Sequence, residues 1–140
     1  MPYHYGRLID HVHLRVRDLN ASRSFYKAAL EALEKLEAFA DGEGCFYADE
    51  LYVDRAESEV SRVHLAFQAT SAEQVVRFHA MTLAAGGTSN GAPGPRSYHS
   101  SYFAAFVLDP DGNNIEAVFH GPNSRSAPSV EVQKLTKSAA

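Results

Sequence analysis

The chain has 140 residues, 45% of them hydrophobic, with a formal net charge of −4 and one cysteine. That length and apolar content suit one domain, and the scattered Lys and Arg make no patch for nucleic acid or anionic lipid, so the expected partner is a small molecule or another protein. The lone Cys45 excludes an intramolecular disulfide; with no apolar signal core in Met1–Arg7 and no run of membrane length, the expectation is a cytoplasmic protein without an anchor.

From Leu8 to Val16 the residues alternate, with Leu8, Asp10, Val12, Leu14 and Val16 on one face and Ile9, His11, His13 and Arg15 on the other, which predicts a strand. Asp18 can cap a helix in which Leu19, Ser22, Phe25, Tyr26, Ala29, Leu30 and Leu33 recur at helical spacing, predicted to run to about Leu36. The turn Asp41-Gly42-Glu43-Gly44 and the runs Cys45-Phe46-Tyr47 and Leu51-Tyr52-Val53 predict short strands. A polar connector at 57–61 separates the halves.

The second half starts over. A strand is predicted over Val60–Ala69, then a helix capped by Ser71 and ended by Gly86-Gly87. Residues 88–97, rich in Gly, Pro, Ser and Asn, read as a loop with one irregular strand. Tyr102–Leu108 and Asn114–His120 read as strands around the Asp109-Pro110-Asp111-Gly112 turn, where Asp109 and Asp111 serve as turn formers. From 122 to 140 the composition is that of a tail, in which Val130-Glu131-Val132 could pair with another segment.

The halves repeat. His11 and His64, Asp18 and Ser71, Phe25 and Phe78, and Leu30 and Leu83 are all separated by 53 residues. One offset thus superposes a strand histidine, a helix cap and two helix core positions, which makes duplication the strongest fold signal in the chain.

On that repeat, Asp10-His11-Val12-His13-Leu14-Arg15-Val16-Arg17-Asp18-Leu19 with Ser24-Phe25-Tyr26, and Phe106-Val107-Leu108-Asp109-Pro110-Asp111-Gly112-Asn113-Asn114-Ile115-Glu116, resemble the opening and closing signatures of the vicinal oxygen chelate superfamily. This is the glyoxalase, bleomycin-resistance and dioxygenase group; Gly91 to Arg96 with Tyr98 and His99 resembles its glyoxalase-like subgroup. The resemblance covers about residues 8–121. It implies an α+β fold in which two tandem βαβββ modules form a curled, cup-shaped mixed sheet with helices on the outer face. Module one would be about 8–55 and module two about 60–121, together one domain over 1–121. It also implies a homodimer.

The resemblance places metal ligands on the first and last strands of each module, and His11, His64 and Glu116 match. Strand alternation alone sets His11 with His13 and Arg15, His64 with Ala66 and Gln68, and Glu116 with Val118 and His120. Two imidazoles and a carboxylate suit one divalent ion, Zn, Ni, Mn or Fe. The fourth position lies open among Glu50, Tyr52 and Asp54; with Tyr52 there, a three-ligand facial site becomes the expectation. His13 could line the pocket or replace His11 as ligand, while His79 reads as a surface or packing residue. His99, with Arg96, Tyr98 and Tyr102, sits beside the Gly- and Pro-rich loop, where these side chains could grip a substrate or relay a proton. Arg15 could hold a substrate carboxylate.

The function these residues and the resemblance imply is a metal-dependent lyase or isomerase resembling lactoylglutathione lyase. It would act on a small oxygen-chelating metabolite through an enediolate-like intermediate, with Glu116 and His99 as catalytic groups. The rivals are a facial-triad dioxygenase and a metal-free small-molecule binding protein of the bleomycin-resistance type.

Overall fold

A computed structural model of the chain describes residues 2–136. The first half runs β1 (Val12–Val16), α1 (Leu19–Ala32), a 3-10 turn at Leu36–Ala38, β2 (Phe39–Gly42), β3 (Cys45–Ala48) and β4 (Leu51–Arg55). The second runs β5 (His64–Gln68), α2 (Ala72–Ala84), β6 (Thr88–Pro95), β7 (Phe103–Leu108) and β8 (Asn114–Phe119). Each half is a βαβββ module, and each makes its own four-stranded sheet, in the orders β1-β4-β3-β2 and β5-β8-β7-β6. The first and last strands of each module pair in parallel and the remaining pairs are antiparallel. No helix among the described residues is long and apolar enough to cross a membrane.

The offset seen in the sequence survives in the geometry. Asp18 caps α1 by accepting from the Ala21 amide, and Ser71 caps α2 by accepting from the Gln74 amide. Phe25 and Phe78 are both fully buried. The two helices pack on each other, and a single core joins both modules. Leu14, Val16, Phe46 and Val53 reach it from the first sheet, Ala105, Val107, Ile115 and Ala117 from the second. Each sheet therefore has one face closed by this core and one face left open, pointing away from it.

Several predicted boundaries shift, each for a physical reason. The first strand begins at Val12 rather than Leu8, because β4 offers no ladder partner beyond Leu51; Leu8 is 90% exposed. In the same way β5 begins at His64 rather than Val60, where β8 starts at Asn114. Helix α1 stops at Ala32, short of Leu36, because Glu34 turns into the left-handed region (φ 59°) and Lys35 closes back on the Leu30 carbonyl at 2.8 Å. Residues 88–95 form a full strand, β6, with register shifts around Gly91; as an edge strand it tolerates Pro93 and Pro95. The two modules give two four-stranded mixed sheets, with no ladder between them. The tail has neither helix nor strand from 122 to 136, and Val130-Glu131-Val132 joins no ladder; residues 137–140 lie outside the described residues.

Candidate functional site

On the open face of the second sheet, the parallel ladder sets Ala66 opposite Glu116 and His64 two positions along. Glu116 is 2% exposed although no helix covers it. A carboxylate removed from water must be paired, and two side chains do this: His64 Nε2 lies 2.8 Å from Oε1, and the Tyr102 hydroxyl donates to Oε2. Burial and then this bond to Glu116 push the Tyr102 phenol well above its ordinary pKa, so it stays a donor. Ala104, Phe106 and Val118, with Tyr102 against them, make an apolar bed around the pair. An imidazole and a carboxylate side by side are donor types that a divalent ion takes.

The open face of the first sheet carries His11, His13 and Tyr52. His11 Nδ1 is 2.6 Å from Asp10 Oδ1, and His13 Nε2 is 2.7 Å from Asp54 Oδ1, its ring edge-on to Tyr52. With Tyr47, Asp49, Glu50 and Leu51 they line a cleft of about 410 Å³. Ladder register shows which of Glu50, Tyr52 and Asp54 is equivalent to Glu116. Ala66 pairs with Glu116; the offset of 53 carries Ala66 onto His13, and His13 pairs with Tyr52. Tyr52 thus holds the place in module one that Glu116 holds in module two. Glu50 falls outside the ladder, and Asp54 pairs with Arg15 and bonds His13.

Other candidates fall in different places. Arg15 lies beside the acidic connector, in a shallow cleft with Glu57 and Glu59, away from the His11 cleft. Arg96 turns back on its own loop, donating to the Ala92, Gly94 and Pro95 carbonyls and covering the Phe106 ring. Tyr98 and His99 both pack edge-on against Tyr102, which brings the predicted loop to Glu116. His79 bonds Ser89 at 2.8 Å as a packing residue. Sequence reasoning did not single out His120, whose Nδ1 lies 2.9 Å from His99 Nε2. Alternation from Glu116 through Val118 placed it on this face, but nothing in the sequence joined it to a residue 21 positions earlier. Among the described residues, no three His, Cys, Asp or Glu side chains gather where one ion could be held. His11 and His13 lie on one sheet, His64 and Glu116 on the other.

The fold and these side chains define a class: a duplicated βαβββ protein that presents imidazole and carboxylate on open sheet faces. Residues 8–117 match the Glyoxalase/Bleomycin resistance protein/Dioxygenase superfamily, and the chain belongs to that family. It is similar in structure to a glyoxalase/bleomycin resistance protein from Albidiferax ferrireducens T118, with a TM-score of 0.67 and 29% identity over 78% of this chain and 95% of that one. A glyoxalase/bleomycin resistance protein/dioxygenase family enzyme from Burkholderia phytofirmans PsJN shares the fold at TM-score 0.61 and 22% identity, over 79% and 96% of the two chains. The fosfomycin resistance protein FosX from Listeria monocytogenes shares it at 0.57 and 21%, over 84% and 93%. No protein of curated function matches the sequence.

Proposed function

We propose that the chain is a divalent-metal-dependent enzyme of the lyase or isomerase type, acting on a small molecule with two neighbouring oxygens, and that two copies assemble its complete site. The observation that carries this reading is the His64–Glu116 pair, a desolvated carboxylate held by an imidazole on a face that no helix covers. His11 supplies a third donor of the same chemistry from the equivalent position of the other sheet. Because both open faces point away from the shared core, His11 meets a His64–Glu116 pair only when a second copy brings its sheet alongside.

His11, His64 and Glu116 would hold a Zn, Ni, Mn or Fe ion, which when bound supplies Lewis-acid stabilisation of charge developing on a substrate oxygen. Around it, Ala104, Phe106 and Val118 exclude water from the bound molecule, and Tyr102 holds a proton beside Glu116 Oε2. Metal analysis of protein purified without chelator tests the reading. About one ion per chain is expected, lost in Glu116→Gln and His64→Ala. A wild-type chain without stoichiometric metal overturns it and leaves the apolar bed as a ligand-binding surface of the bleomycin-resistance type. Turnover of a methylglyoxal hemithioacetal then tests the reaction.

Tyr52 favours a second reading. With a phenol in place of the second carboxylate, three donors leave open positions of the kind a facial triad offers to O₂ and a catecholate. Oxygen uptake with catechol, and no isomerisation, would select it.

A further inference from the structure

His120 follows β8 and continues the Glu116–Val118 face, and the reading proposed above gives it no role. Its ring stacks on His99 at an interplanar angle of 18° and stands edge-on to Tyr102, the residue bonded to Glu116. The hydrogen bonds fix which nitrogen carries each proton. His99 Nδ1 is 2.7 Å from the Ser100 carbonyl oxygen, which can only accept, so His99 donates from Nδ1 and its Nε2 accepts. His120, 2.9 Å away through its Nδ1, must then donate. A neutral imidazole that donates from Nδ1 has a bare Nε2. That atom makes no hydrogen bond among the described residues.

We propose that His120 Nε2 is the proton acceptor of this open face and that His99 is the positioning residue that sets its tautomer. The assignment rests on the enzyme reading above. Burial, and then His99, lower the proton affinity of His120, with Glu116 opposing them; these two and Tyr102 are the titratable groups that face it. The imidazole is therefore neutral near pH 7 and able to accept. An X–H bond of the bound molecule breaks, its electron pair stays on that molecule, and the proton goes to Nε2. The resulting imidazolium shares its Nδ1–H with His99, whose own Nδ1–H remains on Ser100.

Long-range ¹H–¹⁵N imidazole spectra of the full chain test the tautomer, and they need neither metal nor substrate. Wild type should show His120 protonated on Nδ1 and titrating below the usual histidine range. His99→Leu, which removes the acceptor, should move the proton to Nε2; His99→Gln, which keeps an acceptor, should return it to Nδ1. A wild-type His120 protonated on Nε2 overturns the assignment. With the hemithioacetal as probe, His120→Gln should lower kcat by roughly 100-fold, with KM and metal content kept and the acid limb of the pH profile lost. An unchanged kcat also overturns it. Loss of stoichiometric metal or of all turnover in wild type would instead sink the enzyme reading, while the spectra still decide whether His120 is a base.

Discussion

Tyr26 shows how one side chain ties the modules together. It is fully buried on α1, and its hydroxyl donates to Asp109 Oδ2 at 2.6 Å in the turn between β7 and β8. Asp109 also accepts from the Asp111 and Asn113 amides and from the Asn113 side chain. The sequence marked Asp109 as a turn former, and it is one. Its second task, anchoring the hairpin that carries Glu116 to a helix of the other module, has no local signal because the two residues are 83 apart. Tyr26→Phe leaves a buried acceptor short of one donor and should cost about 1–3 kcal/mol in urea denaturation. An unshifted midpoint would show the bond contributes nothing. Burial and then Asp109 also raise the Tyr26 phenol well above 10.0, the value it regains on unfolding. Its contribution is complete below that pH and lost as pH rises through the folded value, so the variant should lose less stability in alkali.

At the scale of elements, the helix ends show what local sequence can encode. Helix α2 closes with Gly86 donating to the Leu83 carbonyl at 3.3 Å and Gly87 to Thr82 at 2.9 Å, Gly86 having φ 101°. The Gly86-Gly87 pair announced this stop. Helix α1 closes with the same pair of bonds but places Glu34 at the left-handed position, so its end was invisible to a search for glycine. The two α2 glycines serve different needs. A Cβ on Gly86 meets nothing within 4 Å, whereas one on Gly87 would stand 2.5 Å from Val107 Cγ1 and 2.8 Å from Phe25 Cε2. Gly87→Ala should therefore destabilise through crowding by about 1–3 kcal/mol, with Gly86→Ala costing backbone strain of about 1–2 kcal/mol. Urea denaturation of both variants checks this; a Gly87→Ala midpoint equal to that of wild type would refute crowding.

For the whole molecule, the decisive feature is that His11 and the His64–Glu116 pair stand on the open faces of two separate sheets. A site shared between copies makes a specific forecast. His11→Ala and Glu116→Gln should each be inactive alone. Mixed in equal amounts and allowed to exchange, they form heterodimers in which one of the two sites is intact, restoring about a quarter of wild-type turnover. A site contained within one chain gives no recovery, which would refute the shared arrangement. Sedimentation of the wild type should show a dimer at the same concentrations.

By itself the sequence determined the duplicated fold, its helix caps and the residue types on each strand face, since these depend on periodicity and on contacts only a few residues apart. Which residues share a strand face with His11, His64 and Glu116 was legible for the same reason; it was the resemblance that singled out those three. Tertiary structure alone decided that Tyr52, not Glu50 or Asp54, occupies the position equivalent to Glu116, because strand register is set by pairing across the sheet. It likewise decided that Arg96 serves its own loop and that His99 meets His120. Such pairings join residues far apart in the chain, and no local pattern records which of several polar side chains on one face finds which partner.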